Sequence, residues 1–570
     1  MCGIAGIFDR TRKKMEDPDT IRNRDRLLTD MLTIIRHRGP DQTGRYSDDV
    51  CSMGMNRLSI VNREIDRIPY LNEDSSLVLA FNGEIYNHPE VRCRFNGAHK
   101  FTSDSDSEVV LHAFEEMGTD CAKWFNGMYA FAIYNAAEKE LFLFRDKVGE
   151  KPLYYYDDGN RFYFASEIKS LLCAVDTELN DSNISYDIFE ACIDGTTLFK
   201  DIYSLLPGEY LRISTNKVEK KKYWSIHENI VEVPDDERWI KRELTDLLVD
   251  AVELRLRNSA DQIACLVSGG VDSALVAAIA KPDYIYTTTY DQYGDDYNEL
   301  HYAELVAQKI GKKLHVVRPT PEDFLSYRNK IIYHLDLPAT WTSFSLFCVI
   351  KELSKACRIF LTGEGIDEIF GGYHRYHLLV HDQKIHELEA MNKYTYLIDK
   401  YYGSPVERYC RLINRSTNIY CERNNRYLKK MVESHFNCLN GVVHGMGMTD
   451  LFTTLQIILH MSDRMSMAFG VENRAPFLDH RLLAFGFGMP EKYKIKNNIT
   501  KHIIKDIARK FVPVEIVDRK DKKGFMAPVN AWFGWGNNGK YDRSGYKKAV
   551  YGDWYNVFIK RELGWPPNLN

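Results

Sequence analysis

The stretch Leu266-Val-Ser-Gly-Gly-Val-Asp-Ser273 constrains this chain more than any other. Ahead of it, Gln262-Ile-Ala-Cys-Leu-Val267 reads as a short buried strand, and behind it Ala274-Leu-Val-Ala-Ala-Ile-Ala280 opens a helix. A strand, a Gly-Gly turn and a helix N-terminus together make an anion site. The glycines let backbone N–H groups approach a phosphate, and the helix dipole favours its charge. Ser268 and Ser273 add hydroxyl donors, and Asp272 is a candidate magnesium ligand. No lysine follows the glycines, so this is not the nucleotide loop that ends in Gly-Lys-Ser/Thr. On these residues alone, a plain strand-to-helix turn of an α/β protein stays open.

Strands are expected again at 284–290, 313–317 and 358–362, with a helix at 298–310. Such alternation predicts a doubly wound parallel sheet with ligand at the strand C-termini. The last of these strands runs into Thr362-Gly-Glu-Gly-Ile-Asp-Glu-Ile-Phe-Gly-Gly-Tyr373, which sets Glu364, Asp367 and Glu368 among four glycines. A surface helix start would be acid-rich as well, but would not need so many glycines.

At 570 residues, two or three domains are expected. The 75 Lys+Arg against 80 Asp+Glu give a net charge of −5, which argues against a dedicated nucleic-acid or membrane-surface binder. No run of about 18 apolar residues suggests a spanning helix, and the start Met1-Cys-Gly-Ile-Ala-Gly-Ile-Phe-Asp9 lacks the regions of a signal peptide. The 12 cysteines show no C-x-x-C pair, which fits a reducing cytoplasm and neither zinc nor a disulfide framework.

Cys2 directly follows the initiator methionine. Once Met1 is removed, Cys2 carries a thiol and an α-amine whose pKa near ~8 suits it as base for that thiol. Downstream come His37-Arg-Gly-Pro-Asp41, Asn56-Arg-Leu-Ser-Ile-Val61, Phe81-Asn-Gly-Glu-Ile-Tyr-Asn87, Ser105-Asp-Ser-Glu108, Arg145 to Tyr154 and Ala165 to Ser170. In that order these motifs resemble the class II glutaminase domain, an N-terminal-nucleophile hydrolase folded as a four-layer α/β/β/α sandwich. The resemblance implies that Cys2 attacks glutamine, that Asn82 and the Gly83 N–H hold the oxyanion, and that Arg57 clamps the α-carboxylate. It further implies Asp106 as acceptor for the α-ammonium, with Glu84 nearby and Leu58, Ser59, Ile60 and Val61 bordering the substrate. Read singly, Asn82-Gly83 also fits a hairpin turn, and Arg57 a surface ion pair.

The Ser268–Ser273 loop resembles the pyrophosphate loop of the ATP pyrophosphatases. With the glutaminase motifs, Thr362–Tyr373, Ser462–Ala468, Glu472–Asp479, Thr500–Lys505 and Lys522–Pro528, the chain is similar to the glutamine-hydrolysing asparagine synthetases over nearly its whole length. This implies domains at 2–190 (glutaminase), 191–235 (connecting strands and linker), 236–535 (ATP-pyrophosphatase) and 536–570 (tail). It also implies glutamine, aspartate and ATP as substrates, and a cytoplasmic homodimer. Val267, Thr288, Thr362 and Gly363 would contact ATP, and Ser268, Gly269, Gly270, Asp272 and Ser273 would cradle its pyrophosphate. Asp272 and Asp367 would hold Mg2+, with Glu364 and Lys501 beside the acyl-adenylate; by itself Lys501 reads as a helix-surface lysine.

Departures from the family pattern are Thr362 for serine, Ile366 for a small residue, and Asp336-Leu-Pro-Ala for Asp-Glu-Pro. Leu337 and Ile366 are expected to reshape the acceptor pocket. A different acceptor, such as a sugar uronate or a peptide acid, is therefore the alternative. A phosphosugar amidotransferase would have no use for Ser268 to Ser273, and a binding scaffold no use for the intact set of site residues.

Overall fold

The computed structural model describes residues 1–11, 18–60, 67–95, 97, 99–180, 194–257, 259, 261–338, 341–380, 403–413, 422–439, 441–519, 522, 527–533 and 543–561. The front half is built from strands β1 (Cys2–Asp9), β2 (Gln42–Ser47), β3 (Cys51–Arg57), β4 (Tyr70–Leu71), β5 (Leu77–Ile85), β6 (Gly127–Asn135), β7 (Glu140–Arg145), β8 (Tyr154–Asp157), β9 (Arg161–Ala165), β10 (Ile202–Ser204), β11 (Glu209–Ile213) and β12 (Val218–Lys222). They form two antiparallel sheets ordered β10-β8-β9-β1-β3-β2 and β12-β11-β7-β6-β5-β4.

The two-residue period of a strand sets the layers. Along β1, Cys2, Ile4 and Phe8 enter the core between the sheets, shared with Val78 and Ala80 of β5. Ala5 and Ile7 turn the other way, onto Leu28, Met31 and Leu32 of helix α1 (Pro18–Ile34). On the second sheet Leu79 and Phe81 pack outward on Val109, Val110 and Ala113 of α2 (Asp106–Met117). Helix, sheet, sheet and helix make the expected four layers. Within 191–235, expected as connecting strands and linker, β10 extends the first sheet and β11 and β12 the second. Each covers a sheet edge that would otherwise expose unpaired backbone groups. Lys220, Lys221 and Lys222 lie exposed on the outermost strand, a solvated edge.

The rear half begins with α3 (Glu237–Leu256), whose first N–H groups are capped by the Asp236 carboxylate. A parallel sheet follows, ordered β15-β14-β13-β16-β17, from β13 (Ile263–Leu266), β14 (Tyr284–Thr288), β15 (Leu314–Val317), β16 (Ile359–Leu361) and β17 (Glu472–Arg474). Both faces are covered: Ile263 and Cys265 belong to one core, Ala264 and Leu266 to another. That accounts for a strand apolar on every residue. The order reverses at β13, because the chain goes on to β14 and β15 on one side and returns to β16 on the other. The ends of β13 and β16 therefore flank a topological switch point, where open α/β sheets bind ligands.

Helices Val442–Phe452 and Thr454–Met467 form a 26-residue run long and apolar enough to cross a membrane, which composition alone had not suggested. Of its most apolar window 72% is buried inside the protein, as in a core helix, and Asp450, Asp463 and Arg464 on it make buried ion pairs. The tail also docks. Helix Arg543–Phe558 buries Trp554 against Phe199, with its indole N–H on the Asp336 carbonyl at 3.0 Å.

Candidate active sites

The first site lies where β1 and β5 present side chains to the space between the sheets. Asn82 follows Val78 and Ala80 on the inward face of β5. Its Oδ1 accepts from the Cys2 backbone N–H at 3.0 Å, while its Nδ2 is buried with no partner. A Cβ on Gly83 would come within 2.2 Å of the Met128 carbonyl, so only glycine fits there. Asn82-Gly83 is mid-strand, paired with Ala130 and Tyr129, and not the hairpin turn it resembles in isolation.

Arg57 pairs directly across from Cys2 in the β1–β3 ladder and is buried, not a surface residue. Leu58 and Ile60 are buried beside it, and the Ser59 N–H donates to Asp41 at 2.8 Å; Val61 lies outside the described residues. Asp106 opens α2 and accepts from the Ile85 N–H at 2.9 Å, its carboxyl raised by burial. Glu84, with one oxygen unpaired, is also raised by burial and by Asp106. Burial likewise lifts the Cys2 thiol, against the pull of the chain's ammonium terminus and Arg57. Met1 sends that ammonium to Glu472 of β17, 3.2 Å away across the two halves.

The second site occupies the switch point. After β13, Gly269 takes φ +70°, where an L-residue is disfavoured, and helix Val271–Ala280 begins. The Ser268 N–H donates to Ser273 Oγ at 3.1 Å, which curls the loop. From β16, Gly363 packs so closely that a Cβ would lie 2.8 Å from the Ser273 nitrogen. Val267 is buried, and Thr288 ends β14 with a buried, unpartnered hydroxyl. Thr362 donates to Asn473 Oδ1 at 3.1 Å.

Lys501 is buried and takes φ +51°, a left-handed conformation rare outside glycine and concentrated at functional sites. Its ammonium bonds Asp272 at 2.7 and 2.9 Å and Asp367 at 2.6 Å. Lys522 adds a bond to Asp272 at 2.9 Å. Burial would raise the Asp272 carboxyl, but these two ammonium groups hold it well below the usual carboxylate range. Glu364 does not pair with Lys501. It accepts from Ser462 and from Asn473 Nδ2 (3.0 Å), and burial raises it. Asp272 and Asp367 converge on one point with hard oxygen donors, the set that magnesium prefers.

Several participants carried no sign of their place in the sequence. Lys522, Asn473 and Ser462 sit inside the quoted motifs, yet only the fold brings them to the loops. Arg519, bonded to the Gly269 carbonyl at 2.9 Å and paired with Glu299, had no signal. Leu337 and Ile366, expected at the acceptor pocket, are buried in two hydrophobic cores.

Between the sites runs a buried ionic seam. Arg38 bonds Asp463 at 2.8 and 3.0 Å and Glu167 at 2.9 Å. Lys169 meets Asp336 at 2.7 Å, and Arg464 meets Glu167 at 2.7 Å.

Comparison with known proteins assigns both halves. Residues 1–224 match the model of a glutamine amidotransferase domain, and residues 243–545, more than half the chain, match that of asparagine synthase. The chain belongs to the asparagine synthase family. Among curated relatives of this synthase, asparagine synthetase (glutamine-hydrolyzing) 1 of Bacillus subtilis (strain 168) is 29% identical over 567 residues, covering 93% of this chain and 88% of the relative. Asparagine synthetase B (glutamine-hydrolyzing) of Escherichia coli (strain K12) is 26% identical, covering 92% and 82%.

Proposed function

We propose that this synthase is a glutamine-hydrolysing ligase that makes asparagine from aspartate, with ATP as the activating substrate. The observation that carries the reading is the pairing, in one chain, of a buried cysteine beside an unpartnered amide donor with a glycine-cradled carboxylate pair at a parallel-sheet switch point.

At the first site Cys2 is the nucleophile. Its burial disfavours the thiolate, so a base is needed. Removal of Met1 supplies one, an α-amine at the nitrogen that Asn82 Oδ1 already holds at 3.0 Å. The thiolate adds to the glutamine carboxamide, and the oxyanion forms beside Asn82 Nδ2 and the Gly83 N–H. Ammonia leaves, and water hydrolyses the thioester to glutamate. Arg57 and Asp106 hold the two charged ends of the amino acid.

At the second site the N–H groups from Ser268 to Ser273 receive the pyrophosphate, with Val267, Thr288, Thr362 and Gly363 at the nucleoside. Asp272 and Asp367 are the residues that would hold magnesium, which when bound offsets charge on the phosphates. Their present cation, Lys501, would then turn to the phosphates as aspartate attacks the α-phosphorus and pyrophosphate departs. Glu364, its carboxyl raised, is placed to take a proton from ammonia as the nitrogen displaces AMP from β-aspartyl-AMP.

The test is pyrophosphate release with Mg-ATP and aspartate, with and without glutamine, with the amino acids analysed. Asparagine and glutamate should appear together. Glutamate formed without pyrophosphate would overturn aspartate as the acceptor.

A further inference from the structure

A third cluster of reactive side chains stands apart from both sites, on the outer face of the front half. Glu73 comes from the turn between β4 and β5, His99 from the loop ahead of α2, and His112 and Glu115 from one face of α2. His112 Nδ1 lies 2.7 Å from Glu115 Oε2 and 3.7 Å from Glu73 Oε2. His99 Nδ1 lies 3.7 Å from Glu73 Oε1 and 3.6 Å from Glu115 Oε2. Both imidazoles thus turn the same nitrogen toward a common centre, and one donor atom from each of the four residues lies within 4.8 Å of the others.

The surroundings are organised to hold these donors. His99 Nε2 bonds Glu116 Oε1 at 3.0 Å, and His112 Nε2 faces Glu108 Oε1 at 3.9 Å. Asn72 Nδ2 donates to Glu115 Oε1 at 2.6 Å, and the Lys100 N–H to Glu73 Oε1 at 3.2 Å. His112 is almost fully buried. The imidazole rings stack with centroids 4.3 Å apart.

We propose that Glu73, His99, His112 and Glu115 form a structural site for a divalent transition-metal ion of the zinc class. Two imidazole nitrogens and two carboxylate oxygens are a zinc donor set, whereas calcium and magnesium take oxygen alone. Bond lengths of about 2.0–2.1 Å place tetrahedral ligands roughly 3.3 Å apart. Three of the four nitrogen–oxygen separations, at 3.6–3.7 Å, need only a slight contraction. The fourth opens as the ion replaces the proton between His112 and Glu115, and that proton passes to solvent. The Glu116 carboxylate on the far nitrogen of His99 fixes that ring's orientation, as around bound metals generally. The ion would tie the β4–β5 turn and the His99 loop to α2, the helix that Asp106 begins.

The experiment strips the full-length protein with chelator, dialyses it against micromolar zinc chloride and measures metal content, thermal midpoint and, with cobalt substituted, visible absorption. One zinc per chain, a raised midpoint and a tetrahedral cobalt spectrum are expected. His99→Ala and Glu73→Gln should each weaken zinc binding roughly 10- to 100-fold, with circular dichroism confirming that the variants fold. Cys93→Ser and His502→Ala, which alter an exposed thiol and a histidine of a separate cluster, should leave the stoichiometry intact. Failure to retain zinc, or equal retention in His99→Ala, would overturn the site. Loss of zinc in either control would overturn it as well, by placing the ion elsewhere.

Discussion

Asn82 and Asp272 are both buried polar side chains at the heart of a candidate site, yet one carries an amide donor with no partner and the other a carboxylate held by two lysines. The sites are prepared in opposite ways. Between the antiparallel sheets, a neutral group keeps an unused hydrogen bond, at a cost of about 1–3 kcal/mol; on the proposed reading it is kept for an oxyanion that exists only during reaction. At the parallel-sheet switch point, full charges compensate one another, because a bare buried carboxylate costs far more than a bare amide. Burial alone does not make a site. The charge of its unmet partner decides how it is kept folded.

Substitutions can break or sharpen this contrast. The largest effect is expected from Cys2→Ala, which should lower glutamine hydrolysis by on the order of 10⁴-fold or more while ammonia-dependent pyrophosphate release continues. Loss of both activities would mean that the sites cannot be separated. Asp367→Ala should reduce pyrophosphate release about 10³-fold with either nitrogen source, from several kcal/mol of lost charge stabilisation. A stopped assay with ammonia replacing glutamine measures it, and an unchanged rate would remove Asp367 from the site. For Asn82→Ala, glutaminase kcat should fall about 10²- to 10³-fold, with a stability loss near the ~1 kcal/mol of one hydrogen bond to the Cys2 N–H. A fall in stability without a fall in kcat would make Asn82 a packing residue. The smallest effect belongs to Thr288→Val, which removes an unpartnered hydroxyl. The KM for ATP should rise about tenfold, while the thermal midpoint holds or increases; an unchanged KM would mean that the hydroxyl does not meet the nucleotide.

What was legible in the sequence was local. The Gly-Gly turn between a strand and a helix reports its own geometry, because positive φ and close backbone approach select glycine. The glutaminase residues were legible as an ordered set of motifs, although Asn82-Gly83 alone pointed to a hairpin; only the neighbouring strand β6 fixes it mid-sheet. Contacts between distant segments were not legible. Lys522 reaches Asp272 across 250 residues, and Arg38 reaches Asp463 across 425. Nothing in either local stretch encodes the other. Lys501 and Glu364 stood out in the sequence as a pair, but which carboxylates neutralise the lysine depended on three loops meeting. Leu337 and Ile366 stand out only against a family pattern, and both are buried.

The bond from Met1 to Glu472 has a consequence in time. At about 5–20 residues per second, the ribosome needs roughly half a minute to a minute and a half after the first codon to reach residue 472. Throughout that interval the methionine lacks its partner in the rear half. Once β17 is in place, the same end of the chain is sealed under it. On the reading proposed above, in which Cys2 acts once Met1 is removed, the methionine has to leave before the completed strand seals it, because its removal and its bond to Glu472 exclude one another.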